Sequence, residues 1–262
     1  MSATATLKRR LFLLAAVAAL MLPGPARAGE VKVAVAANFT QAAQDIGTLF
    51  ENKTGHKVVF SFGSTGQIYT QIAKGAPFEV FLAADQTRPQ KAGIDGLAVA
   101  HTRFTYATGK IVLYSRDAAL VQGPSTLKRG TFSRIAIANP VTAPYGAAAV
   151  TALKALGVYD ALQSKVVRGN SIAQTHQFVE SGNAELGFIA LSQVAGHDKG
   201  SRWPVPENLY PAIAQDAVLL NSGKDNPVAR AFLSFLGGDA ANRVKVRFGY
   251  GVGEPAKIRP DA

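Results

Sequence analysis

Four short segments of this chain combine small, hydroxyl and amide residues with no charge among them. They are Ala37-Asn38-Phe39-Thr40, Gly63-Ser64-Thr65-Gly66, the run PVTAPYG over residues 140–146, and Gly169-Asn170-Ser171-Ile172. Each can present hydroxyl, amide or main-chain N–H donors, and donors without a counter-charge suit the capture of an oxyanion. A helix N-terminus carries about half a positive charge, and its first-turn N–H groups have no partner inside the helix. Several charge-assisted hydrogen bonds, at ~1.5 to 3 kcal/mol apiece, can hold a dehydrated dianion. Such a site also discriminates, because a guest carrying its own O–H meets donors only; a fully deprotonated oxyanion is favoured. Taken singly, each segment reads equally well as an N-cap or a turn. Recurrence of the same content carries the functional reading.

Other chemistries are poorly served. The four histidines, His56, His101, His176 and His197, have no metal-ligand spacing, and neither a G-x-S-x-G elbow nor a G-x-x-x-x-G-K-[ST] loop occurs. Gly63-Ser64-Thr65-Gly66 lacks the lysine of a nucleotide loop. Asp85 stands alone at a strand end, as turn and cap residues do, and His176 falls in an expected helix. No nucleophile and base can be paired, so an enzyme is not expected. With no cysteine in 262 residues, disulfides and thiolate sites are excluded.

For the four segments to meet, each must lie where a strand runs into a helix, since ligands of open α/β sheets gather beyond the carboxyl ends of strands. The apolar patterning supplies this alternation. Residues 31–37 read as a strand, and 40–52 as a helix carrying Ala42, Ala43, Ile46, Leu49 and Phe50 on one face. Residues 57–62 form a second strand, followed by a short helix through Ile68 and Ile72 that Gly75 ends; 79–83 form a third. Residues 110–115 leave this unit. The design then repeats with strand 134–139, helix 145–156, strand 165–168, helix 172–180 and strand 186–191. Residues 212–220 return, and Pro227 opens a helix followed by an amphipathic stretch to Arg247. The expected fold is α/β and two-lobed, with mixed sheets covered by helices on both faces and two crossings between lobes. One lobe takes 29–109 and 213–262, the other 110–212. Two of the four segments fall in each lobe, so hinge closure would bring all four onto one point.

Residues 1–28 read as a cleavable export signal. Lys8, Arg9 and Arg10 precede an apolar run from Leu11 to Leu22, which ends in Ala26-Arg27-Ala28. The run is too short for a ~30 Å hydrocarbon layer. Four of the 28 Lys and Arg (Lys8, Arg9, Arg10, Arg27) lie there, which leaves 24 against 17 acidic residues, a net +7. The basic residues are scattered and form no face for nucleic acid. A free periplasmic protein is expected.

From VKVAVAANFTQAAQDI through FSFGSTGQIYTQIAKGAPFEVFLAADQ, IAIANPVTAPYGAAA and LGFIALSQV to RFGYGV, the sequence resembles the periplasmic molybdate-binding proteins of ABC importers. The resemblance implies the type II periplasmic-binding-protein fold, a molybdate or tungstate ligand with no other cofactor, and a monomer that docks on a membrane permease. It also implies roles. Asn38 falls where a Ser or Asn donor meets the oxyanion, Thr65 replaces a Ser hydroxyl, and Tyr145 and Ile172 donate main-chain N–H groups. Ala37 offers its N–H. Some members use a tyrosine hydroxyl at the end of the LGFIA strand, where Ala190 stands here; other members with the ANF and APYG variants also lack it, which implies a subtype with a rearranged shell. The side chains of Asn38 and Thr65 are expected near the surface of an open cleft, where removing them would cost little fold stability. Sulfate, phosphate or an iron complex on the same fold, and a sensing domain of a regulator, are the alternatives. A ferric site would call for a tyrosine or carboxylate cluster, and no helix-turn-helix segment accompanies the chain.

Overall fold

The computed structural model describes residues 28–253, so the expected signal segment lies almost wholly outside the described residues. Along the chain the elements are β1 (Glu30–Ala36), α1 (Thr40–Thr54), β2 (Lys57–Gly63), α2 (Thr65–Ala73), β3 (Val80–Leu82), α3 (Thr87–Ile94), β4 (Phe104–Gly109), β5 (Ile111–Ser115), α4 (Pro124–Arg129) and β6 (Ile135–Ala138). There follow α5 (Pro144–Ala155), α6 (Tyr159–Leu162), β7 (Val166–Gly169), α7 (Ile172–Glu180), β8 (Leu186–Ala190), β9 (Ser201–Pro204), β10 (Ile213–Leu219), α8 (Pro227–Leu236), α9 (Asp239–Arg247) and β11 (Gly251–Val252).

Two mixed sheets result, in the orders β11-β4-β10-β3-β1-β2 and β7-β6-β8-β5-β9. Within each sheet, strands joined by helical crossovers run parallel: β1 with β2 and β3, and β6 with β7 and β8. The strands next to the crossings run against them, β10 against β3 and β5 against β8. The chain passes from the first sheet to the second at Lys110, between β4 and β5, and returns between β9 and β10. Each sheet is covered on both faces. In the first, Phe39, Ile46, Phe50 and Phe232 pack on one side and Ile68, Ile72 and Phe81 on the other.

Central strands are mostly apolar, with all of β3, β5, β6 and β8 buried, as a sheet covered twice requires. Gly55, at φ 72°, ends α1 in the left-handed region, and its N–H bonds the carbonyl of Glu51. Leu49, expected on the packed face of α1, is 41% exposed. The buried stripe there is completed by Gly47, which faces the Phe60 ring, so the apolar face turns away from Leu49. Unanticipated elements include α3, whose Pro89 sits in the first turn where no intrahelical N–H is needed, and β4, whose threonines and glycine read as loop. Opposite the step from Gln215 to Asp216 on β10 the register skips Tyr106, a bulge in β4 that turns the consecutive Tyr106 and Ala107 both into the core.

Lys245 in α9 is also buried. Its Nζ donates to the carbonyl of Leu236, at the end of α8, at 2.6 Å and to Asn242 Oδ1 at 3.0 Å. Burial lowers its pKa to about 8. Between that value and the ordinary lysine range the unfolded chain binds more protons than the folded one, so stability should rise with pH from about 8 towards 10, by up to ~3 kcal/mol. Urea midpoints at pH 7, 8.5 and 10 should climb for the wild type and stay level for Lys245→Met. An equal climb in both proteins would remove Lys245 as the cause.

Candidate functional site

The four uncharged segments lie at strand-to-helix junctions, β1 to α1, β2 to α2, β6 to α5 and β7 to α7. These junctions meet between the two lobes around a small cavity. Asn38, Thr65, Tyr145 and Ile172 all line it, joined by Ser64 and by small residues such as Ala84 and Ala143. No charged side chain is among the described residues that line it.

Each junction supplies donors in its own way. Ala37–Phe39 forms a 3-10 turn ahead of α1, so the Asn38 N–H falls in a first turn. Thr65 is the first residue of α2; its Oγ1 accepts the N–H of Ala84 at 3.0 Å, which leaves the hydroxyl hydrogen to donate. In α5, Pro144 takes the first position, where a missing N–H costs nothing, and Tyr145 follows with an N–H that has no intrahelical acceptor. At α7 the Ser171 hydroxyl accepts from Gln174 N–H, leaving the Ile172 N–H free of the cap. Gln193 braces this corner: its Oε1 accepts from Ala190 N–H at 2.9 Å and its Nε2 donates to the Ile172 carbonyl at 3.1 Å.

Ser64 is the residue that the sequence reading passed over in favour of its neighbour. Among the described residues two buried side-chain oxygens lack a partner, Ser64 Oγ and Thr142 Oγ1. Ser64 Oγ belongs to the cavity lining, whereas Thr142 lies outside it, at the contact between lobes beside Gly66. A buried hydroxyl without a partner costs about 1 to 3 kcal/mol, so an oxygen of a guest is its natural acceptor. The signal was present in the adjacent pair Ser64-Thr65; what the sequence cannot show is that both hydroxyls are buried.

Behind the cavity Asn38 and Tyr145 enter a sealed polar cluster. Asn38 Nδ2 lies 2.8 Å from Gln215 Oε1, 3.1 Å from Tyr250 OH and 3.3 Å from Tyr145 OH. Two amide hydrogens are thereby occupied, so the Asn38 group left to face the cavity is the main-chain N–H. The Tyr250 hydroxyl donates to the Asn38 carbonyl at 2.6 Å, and Ser192 Oγ donates to the same carbonyl at 2.9 Å. Tyr106 OH reaches Gln215 Oε1 at 3.2 Å. Burial first, then neighbouring phenols, raises the pKa of Tyr145 well above the usual tyrosine range; burial does the same to Tyr106 and Tyr250. The three phenols therefore stay neutral. Asn38 and Thr65, expected near an open surface, are 4% and 1% exposed because the lobes are shut over them.

A sequence model of the bacterial extracellular solute-binding proteins matches residues 31–251. The chain is 55% identical to the molybdate-binding protein ModA of Azotobacter vinelandii, over 92% of this chain and 97% of that protein. It is 51% identical to the molybdate-binding protein ModA of Rhodobacter capsulatus, over 86% and 90%. The solved structure of an Azotobacter vinelandii periplasmic molybdate-binding protein superposes with a TM-score of 0.83 at 39% identity, covering 85% of this chain and 99% of that one. The sulfate-binding protein SubI of Mycobacterium tuberculosis, at 12% identity and a TM-score of 0.70 over 86% and 87%, shares the fold.

Replacing Ser64 by Ala should leave the thermal midpoint of the ligand-free protein unchanged or slightly higher, because an unpartnered hydroxyl is removed, while oxyanion affinity falls about tenfold. Asn38→Ala should differ in kind, lowering the midpoint as well, since it strips a partner from Gln215 and Tyr250. Differential scanning calorimetry with and without ligand separates the two. Equal stability losses would mean that Ser64 is bonded within the fold.

Proposed function

The chain belongs to the bacterial extracellular solute-binding proteins, and from that footing we propose that it captures molybdate or tungstate outside the cytoplasmic membrane and delivers it to an ABC importer. One observation carries the reading at the level of the site. The unpartnered Ser64 hydroxyl, the spare hydroxyl hydrogen of Thr65 and the starts of α2, α5 and α7 surround one cavity with no charged side chain among the described residues that line it. The names and identity of the relatives supply the choice of anion.

The residues proposed to bind are Asn38 through its main-chain N–H, Ser64 and Thr65 through hydroxyls, and Tyr145 and Ile172 through main-chain N–H groups. Ser64, with its unpartnered oxygen, is proposed to make up for the tyrosine replaced by Ala190. The membership of the two sheets supports taking 29–109 with 213–262 as one lobe and 110–212 as the other, hinged at Lys110 and ahead of Ile213. Export through residues 1–28, work as a monomer in the periplasm, docking on a membrane permease and the absence of catalysis complete the proposal. They are supported by the n-region and apolar run of the first 28 residues and by the nature of the relatives.

A donor-only site should accept dianions and refuse a guest bearing its own proton. Titration calorimetry with molybdate, tungstate, sulfate and phosphate should show molybdate and tungstate bound tightly, phosphate rejected, and sulfate unable to displace molybdate at comparable concentration. Displacement by equimolar sulfate would remove the assignment. Affinity for molybdate should also be flat between pH 7 and 9, because the lining holds no side chain that titrates there; a step in that window would place an ionising group at the site.

A further inference from the structure

At the rim of the cleft lies a contact set that neither the anion cavity nor the buried tyrosine cluster uses. Arg88, in the first turn of α3, is fixed by its own lobe: its N–H donates to Asp85 Oδ1 at 2.9 Å and its Nη1 to Asp85 Oδ2 at 2.5 Å. The remaining arm of the guanidinium crosses the cleft, where Nη2 donates to the carbonyl of Val141 at 2.8 Å. Beside it the N–H of Gly66 donates to the carbonyl of Thr142 at 2.9 Å. Both acceptors belong to one loop whose shape is set by Asn139. Its Oδ1 accepts from Val141 N–H at 3.0 Å, and its carbonyl accepts from the N–H groups of Thr142 and Ala143 at 3.2 and 2.8 Å. The loop thus offers two successive carbonyls to the opposite lobe and then runs directly into Tyr145.

Gly66 is also a steric requirement. A Cβ there would stand 3.0 Å from Thr142 Cα and 3.2 Å from its carbonyl oxygen, so the lobes could not approach as they do without a shift. Neither Gly66 nor Arg88 lines the anion cavity.

We propose that Arg88 and Gly66 form a clasp on the carbonyls of Val141 and Thr142 that holds the lobes shut and sets how fast the guest leaves, without helping to choose the guest. The proposal rests on reading the chain as an oxyanion-binding protein. Arg88 and Gly66 are positioning residues, acting through the loop that carries Tyr145. Their signature is a rate: the bonds form only on closure, so losing them speeds release and spares association.

The test is stopped-flow displacement of molybdate and of tungstate from wild type, Arg88→Ala and Gly66→Ala. Dissociation should be about tenfold faster in each variant, a difference of about 1.4 kcal/mol. Association and the ratio of molybdate to tungstate affinity should be unchanged. The ligand-free Gly66→Ala protein should melt no lower than wild type, because alanine favours the first turn of α2 more than glycine does. Wild-type release rates in both variants, or an altered preference between the anions, would overturn the clasp. If the wild type itself takes up neither anion, the functional reading fails instead. Small-angle scattering of the ligand-free proteins then decides the clasp, a larger radius of gyration in the variants supporting it and equal radii sinking it.

Discussion

Main-chain N–H groups that must remain unpaired within a packed fold are the constraint on which this structure turns. Each such group costs about 1 to 3 kcal/mol when buried without an acceptor, so a chain that keeps several of them aimed at one cavity has to hold the junctions rigid by other means. The polar side chains at the junctions do this bracing. Ser171 satisfies Gln174 and not Ile172, and Gln193 ties Ala190 to Ile172. Thr65 divides its hydroxyl, accepting from Ala84 while keeping its hydrogen. Side chains fix the frame, and in the proposed site the helix starts would supply the donors.

Behind that frame the cluster of Asn38, Tyr106, Tyr145, Gln215, Tyr250 and Ser192 joins the two lobes through uncharged groups. A charged partner in its place would put a fixed field next to a cavity meant for a dianion, and would have to be desolvated each time the cleft closed. Neutral phenols avoid both costs. They also give directional bonds that favour a particular closed geometry. Arg103 and Asp216 do form an ion pair, and Asp216 is fully buried, but it lies on the far side of β10 where Gln86 and Thr105 share the carboxylate.

Much of the architecture was legible because parallel βα units write themselves into sequence as apolar runs alternating with helical periodicity. The α7 bounds, residues 172–180, are read directly from the pattern, and β1, β2, β6 and β8 fall within a residue or two. Elements outside that code were not legible. The strand β4 interrupts its apolar Phe104, Tyr106 and Ala107 with two threonines and ends in glycine, and α3 carries a proline, so each resembles connecting chain. At the site, residue types and their recurrence singled out the four segments, the family resemblance picked Asn38, Thr65, Tyr145 and Ile172 within them, and the fold gathers these four around one cavity. What each atom does was not readable. The Asn38 amide turns inward because Gln215, 177 residues away, meets it there; Ser64 differs from Thr65 in that only the Thr65 hydroxyl meets a donor, the N–H of Ala84.

The bulge in β4 has one more implication. Because Tyr106 has no pairing partner of its own on β10, it and the next residue, Ala107, both turn to the core that holds Phe39 and Phe232. On β10 the alternation is regular, with Gln215 meeting the tyrosine cluster and Asp216 meeting Gln86 and Arg103. The bulged strand can therefore drift in composition far more readily than in length. Deleting its extra residue or adding another would shift the pairing with β10 by one and turn every later side chain of β4 to the opposite face, up to the outward passage at Lys110.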